Sequence, residues 1–258
     1  MKTRYILLGG TAIMLAACTP ADEPATTPPA EDAAVEAEEP ATTPDDSDLA
    51  EKLQGAAAGT YSLENTHAFL SFTVTHNGVS DYNVDFTDFD ATVDFNPEDP
   101  ATSSVTATID PLGLNVKYPA DYKAGHPDSP HESWPEALSK DARFLNGEEF
   151  PEITFVSTGA ETTGDYTGTV TGDLTFLGVT KPVTLDVTYN GVANTPWTGE
   201  RDLIGFNATG TIDRSEFGQT SMEGVISNEV RIEFSGEFLE DEAPAETPPA
   251  DEPAETQE

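Results

Sequence analysis

Between residues 60 and 239 apolar side chains recur at every second position, the signature of strands with one face inside and one in water. Ala68, Leu70, Phe72 and Val74 share one face, with Phe69, Ser71, Thr73 and Thr75 on the other. Tyr82, Val84 and Phe86 continue the pattern, and its phase then flips to Phe89, Ala91, Val93 and Phe95. That flip predicts a β-bulge around Thr87-Asp88. Further runs join Val105, Ala107 and Ile109; Ile153 and Phe155; and Val170, Leu174 and Phe176. Val183, Leu185, Val187 and Tyr189 follow, then Ile204, Phe206, Ala208 and Ile212, and finally Val230, Ile232 and Phe234. Turn residues punctuate the runs at Asn77-Gly78, Thr163-Gly164, Asn190-Gly191 and Gly218, and the two Asn-Gly pairs predict tight turns. About eight such strands give an all-β fold, an antiparallel sandwich or a closed barrel.

One stretch breaks the rhythm. Residues Leu114 to Glu149 are rich in Tyr, Pro, His and Asp, and so long an irregular segment points to a lid or portal. It holds the one helical candidate, Ser133 to Leu145, with Ser133 as cap and Pro135 and Glu136 in the first turn.

The rest of the chain is of another kind. Residues 60–239 hold 21 of the 22 aromatic residues, so one core is expected there. Residues 18–59 and 240–258 are acidic and rich in Pro and Ala, and cannot bury enough surface to offset their conformational entropy; they read as a tether and a tail. The chain carries a formal net charge of −37, which repels phosphate backbones and argues against nucleic acid as a partner. A single cysteine excludes a disulfide framework. Residues 1–17 pair Lys2 and Arg4 with a short apolar stretch, the form of a signal peptide. They end in Leu15-Ala16-Ala17-Cys18, which resembles the lipobox of bacterial lipoproteins. That resemblance implies lipidation at Cys18, a membrane anchor and a place in the cell envelope. Thr19 after the cysteine fits the outer membrane, facing the periplasm.

Chemistry-bearing motifs are sparse. There is no Gly-x-Ser-x-Gly elbow, phosphate-cradling Gly-rich loop or His-Glu-x-x-His pair, so no catalytic residue and no cofactor is assigned. His126 and His131 stand on the irregular acidic segment and read as solvated, with no metal assigned. Asp81, Asp85, Asp88, Asp90 and Asp94 lack the closing Glu of a calcium loop. His67 and His76 flank the first strand and are candidates for contact with a ligand's headgroup. Arg214 fits either a neighbouring carboxylate or that headgroup.

Four stretches stand out, in order: Leu63 to His67 with Phe72-Thr73-Val74-Thr75-His76; Phe150 to Ser157; Val170 to Leu185; and Gly205 to Ala208 with Ile212 to Gly218. Taken together they resemble the YceI-like family. The resemblance implies a lipocalin-like eight-stranded barrel that binds a long polyisoprenoid, such as a polyprenyl phosphate or a quinone tail, in its apolar interior. The wall would then be Leu70, Phe72, Val74, Val84, Phe86, Ile153, Phe155, Leu174, Phe176, Leu185, Val187, Phe206, Ile232 and Phe234. The chain departs from the family pattern in the length of the Leu114–Glu149 segment and in Asp85, where a Gly is common. Alternation itself fits two outcomes, because an eight-stranded barrel either fills with its own side chains or holds one slender ligand. Periodicity alone favours the filled barrel, an interaction module of the envelope; the resemblance favours the hollow one.

Overall fold

The computed structural model describes residues 55–242. Cys18, the signal peptide, nearly all of the tether and the tail beyond residue 242 lie outside the described residues. Ten strands form one antiparallel sheet: β1 (Gly59–His76), β2 (Ser80–Phe86), β3 (Phe89–Phe95), β4 (Ser104–Ile109), β5 (Leu114–Val116), β6 (Ile153–Thr162), β7 (Thr167–Phe176), β8 (Val179–Asn194), β9 (Asp202–Asp213) and β10 (Ile226–Glu240). Consecutive strands from β6 to β10 pair as neighbours, and β10 pairs along β1 from Tyr61↔Glu240 to His76↔Ile226. The other side of β1 is shared: Gly59–Ser62 pairs β3 and Leu70–His76 pairs β2. With β4 joining β3 to β6, the sheet closes into an eight-stranded antiparallel barrel. Closure pairs most of the strand length on both sides, which suits a sequence made of short alternating strands.

The phase flip at Thr87-Asp88 is a break between β2 and β3, matched by a break between β4 and β5. Thr87 N–H donates to the Gly113 carbonyl at 2.9 Å, and Asp110 N–H donates to the Asp88 carbonyl at 2.9 Å. The two backbones approach so closely that a Cβ on Gly113 would stand 2.6 Å from Asp88 Cβ. Each broken pair therefore occupies one position of the barrel.

Asn77-Gly78 is the expected tight turn, with φ of 53° and 69°, both positive as a type I′ hairpin requires. Asn190-Gly191 is not a turn. It lies inside the 16-residue strand β8, where the register against β9 shifts between Tyr189 and Gly191. Gly191 has φ 116°, so the pair serves as a bulge that bends a long strand around the barrel.

The long segment is more ordered than its composition suggests. It contains β5 and two short helices, α1 (Tyr122–Gly125) and α2 (Trp134–Lys140). Ser133 caps α2 by accepting from Glu136 N–H at 3.3 Å, while the Glu136 carboxylate accepts from Glu132 N–H at 2.8 Å. The helix stops at Lys140, short of the expected Leu145, because Asp141 turns extended and its carboxylate accepts from Arg143 N–H instead.

Candidate ligand-binding lumen

A cavity of about 630 Å³ runs inside the barrel, within the range of small-molecule sites. All fourteen wall residues expected from alternation line it: Leu70, Phe72, Val74, Val84, Phe86, Ile153, Phe155, Leu174, Phe176, Leu185, Val187, Phe206, Ile232 and Phe234. On β9 the lining residues are Phe206, Ala208 and Ile212, while Asn207 and Thr209 face out; on β10 they are Ile226, Val230, Ile232, Phe234 and Phe238. Leu70, Phe72, Phe206, Ile232 and Phe234 are only half-buried although they point inward. Their exposed area faces the void. These side chains do not fill the middle of the barrel.

Three inward glycines help keep it open. A Cβ on Gly172 would meet the Phe155 ring at 2.4 Å, one on Gly210 would meet Leu185 Cδ2 at 2.5 Å, and one on Gly236 would meet the Phe234 ring at 2.5 Å. Phe155, Leu185 and Phe234 thus lie flat along the wall over a neighbour that has no side chain, rather than standing out into the lumen.

One end is plugged. Tyr61, Leu63, Ala91, Val93, Phe95, Ile204 and Phe238 pack there as one buried cluster, with Tyr61 and Ile204 at 0% exposure and Phe238 at 2%. Tyr61 meets Phe95 edge-on at 6.2 Å, and Phe206 meets Phe238 edge-on at 5.9 Å. The Tyr61 hydroxyl donates to the Ala57 carbonyl at 2.8 Å, and burial pushes its pKa up to about 12. It stays a neutral donor.

The opposite end is ringed by aromatic side chains, most of them from the irregular segment. His76 stacks on Tyr82 at 4.8 Å, Tyr82 meets Tyr118 at 5.1 Å, and Tyr118 meets Trp134 edge-on at 5.0 Å. Trp134 continues to Tyr122 at 4.9 Å, and Tyr122 stacks on His126 at 4.6 Å. All six rings line the cavity. Tyr82, Tyr118, Tyr122 and Trp134 were not among the expected site residues. For Tyr118, Tyr122 and Trp134 the signal was the concentration of aromatics in a segment without strand periodicity, which marks a lid but not which rings turn inward; Tyr82 stands in the alternating run of β2.

The two guanidinium groups on the lining are both committed. Arg214, 5% exposed, opens a 3-10 turn after β9. Its Nε donates to the Ser227 carbonyl at 2.9 Å and its Nη2 to the Ile226 carbonyl at 3.1 Å. Its Nη1 reaches the Gln219 carbonyl at 3.0 Å, Gln219 Oε1 at 2.6 Å and the Ser221 carbonyl at 2.8 Å. Arg214 lines the cavity and is held by carbonyls of residues 219–227 and the Gln219 side chain, with Asp213 and Glu223 near enough to favour its charge. Gln219 in turn donates to the Arg143 carbonyl, tying this loop to the lid. Arg143 forks onto Asp141, with Nη2 2.7 Å from Oδ2, and that bond first of all holds the Asp141 pKa down at about 2.

His76 stands at the aromatic end, but His67 does not line the cavity. It is exposed on the outer surface, where β1 bulges between Leu63 and Ala68, and bonds the Glu64 carboxylate. Glu64, His67 and Glu237 bring donor atoms within 4.8 Å of one another, a set held together by Thr66, whose hydroxyl donates to Glu64 at 2.7 Å. Asp85 also faces outward and pairs with Lys117 at 3.0 Å, so the missing glycine leaves the lumen untouched.

Known proteins share this architecture. The UPF0312 protein of Pseudomonas putida is 37% identical over 170 residues, covering 63% of this chain and 78% of its own. The UPF0312 protein of Pseudomonas fluorescens is 39% identical over 155 residues, covering 60% and 72%. Among solved structures, Burkholderia cenocepacia BcnA superposes with a TM-score of 0.54 at 23% identity, covering 68% of this chain and 98% of its own. The Campylobacter jejuni YCEI protein gives a TM-score of 0.51 at 25% identity, covering 64% and 88%. The YceI-like domain model matches residues 61–238, from the plug tyrosine of β1 to the plug phenylalanine of β10. The barrel is thus matched from one end to the other, and the chain belongs to the YceI-like family.

Proposed function

We propose that this protein is a non-enzymatic carrier that holds one long-chain isoprenoid lipid in its lumen. The observation that carries the proposal is the void itself: inward aromatic and aliphatic side chains stay half-buried around about 630 Å³ of apolar space. Burying on the order of 500 Å² of isoprenoid surface at about 25 cal/mol/Å² gives roughly 12 kcal/mol gross. Ordering a flexible chain offsets much of that gain. The remainder requires no polar contact.

The aromatic end favours a neutral, ring-bearing headgroup of the quinone kind over a phosphate. Arg214 and Arg143, the two guanidinium groups on the lining, are committed to protein acceptors. Six rings offer faces for a planar head to stack on. The signal sequence and Cys18 support a lipid-anchored form in the bacterial envelope, on the outer membrane facing the periplasm.

Solvent extraction of the purified protein followed by mass spectrometry tests this reading. A prenylated ring compound at near-equal stoichiometry is the expected result. An extract without prenyl lipid, from protein that also fails to take up an added quinone, overturns it. For the anchor, acyl labelling that persists in a Cys18→Ser variant would refute lipidation at that residue.

A further inference from the structure

The lumen does not end at the plug. Strand β4 pairs with β6 over four positions only, from Ile109↔Ile153 to Thr106↔Val156, yet β6 runs on to Thr162. Past that point Val105 N–H donates to the Ser157 hydroxyl at 2.9 Å instead of to a ladder carbonyl, and the β6–β7 register shifts between Ser157 and Gly159. The stretch from Ser157 to Thr162 therefore has no strand partner on its β4 side among the described residues. It faces the connection between β3 and β4, with its 3-10 turn at Pro100–Thr102.

The cavity reaches both lips of this seam. Pro97, Pro100 and Ser103 line it on one side. On the other lip Ala160, Glu161 and Thr162 line it consecutively. Consecutive residues of a strand point to opposite faces, so the void wraps around the edge of β6 there. The consecutive lining continues through the β6–β7 hairpin from Gly164 to Val170, whereas along β9 and β10 the cavity meets alternate residues. Straight ahead, Tyr61, Ile204 and Phe238 close the axis.

We propose that this seam is a second, lateral opening through which the far end of a long isoprenoid leaves the lumen. The protein would then accept chains longer than its cavity, without measuring their length. Pro97, Pro100 and Tyr166 give a hydrocarbon some apolar contact at the rim, while Glu161 and Asp165 repel an anionic head. Head and tail are thereby assigned: head at the aromatic end, tail at the seam. This rests on the isoprenoid reading above.

Prenyl alcohols of graded length, from farnesol to undecaprenol, are titrated onto the full chain and onto Ser103→Trp and Ala160→Trp variants. In the unmodified protein affinity is expected to hold or rise with chain length. Filling the seam leaves farnesol binding within about twofold and weakens undecaprenol binding about tenfold or more. Variants that bind both alcohols as the unmodified protein does would overturn the seam while leaving the carrier intact, as would an affinity that collapses once the chain outgrows the lumen. Failure of the unmodified protein to bind any of the series overturns both readings. Should the tryptophan variants misfold, Ser103→Cys in a Cys18→Ser background serves instead. Bound undecaprenol should shield that thiol from a maleimide and farnesol should not; equal labelling with both rejects the outlet.

Discussion

Phe234 and Phe238 stand four residues apart on β10, both pointing into the barrel, and they live in different materials. Phe238 is 2% exposed inside a solid cluster, whereas Phe234 is half-buried and borders empty space. The alternation that puts both rings inside is the same. What differs is the company: Phe238 meets Tyr61, Ile204 and Phe206 inside the plug, while Phe234 abuts the plug through Phe238 at 6.0 Å and lies flat over Gly236. Period two settles which side of a wall a residue takes, and the size of its neighbours settles whether the inside is full. One sheet thus makes a stabilising base and a binding space.

That contrast can be broken or sharpened in four ways. Phe238→Ala should cost about 3–5 kcal/mol by chemical denaturation, the usual loss for a packed aromatic. Phe234→Ala should cost about 1 kcal/mol in the ligand-free protein, because much of its ring already lacks partners; equal costs would show that plug and wall are one core. Next, Arg214→Met should cost about 2–3 kcal/mol, since buried carbonyls lose a charged donor. Hydrogen exchange should quicken first in residues 219–227 and leave the plug protected. A global loss of protection would mean that the two ends are a single cooperative unit.

Gly236→Ala acts on affinity. The new methyl displaces the Phe234 ring toward the lumen, and quinone binding should weaken about tenfold, or roughly 1.4 kcal/mol. Unchanged affinity would show that the ring has another place to go. Smallest is the acid response. Arg143 holds the Asp141 carboxyl at about 2, below its unfolded value of about 3.9. The stability from this pair is complete above about pH 4 and lost as pH falls toward 2. With Arg143 half-exposed it amounts to about 1 kcal/mol or less. Lid amides should therefore lose protection in acid before plug amides do, and Asp141→Asn should remove that difference.

Much of the barrel was legible because strand periodicity is local. The fourteen wall residues follow the alternation along β1, β2 and β6 to β10, with the family resemblance supplying the hollow. The misreadings have a common physical origin: they concern side chains whose partners come from distant strands or from loops. Arg214 was weighed between a carboxylate and a headgroup, but its acceptors are Gln219, Ser221 and the first carbonyls of β10. His67 shares a strand with Leu70, yet the β1 bulge turns it outward. Asn190-Gly191 has turn chemistry, and a long strand used its positive φ for a bend. Four of the six aromatic rings at the open end come from a segment with no period to read.

Gly59 starts β1 at the plugged base, Ala56 packs into that base, and Asp241 N–H returns there to the Thr60 carbonyl at 2.9 Å. Both directions in which the polypeptide continues therefore depart from the same pole. Anything fastened to either continuation pulls on the sturdiest part of the domain. The aromatic ring lies at the other pole, away from both of these points of departure.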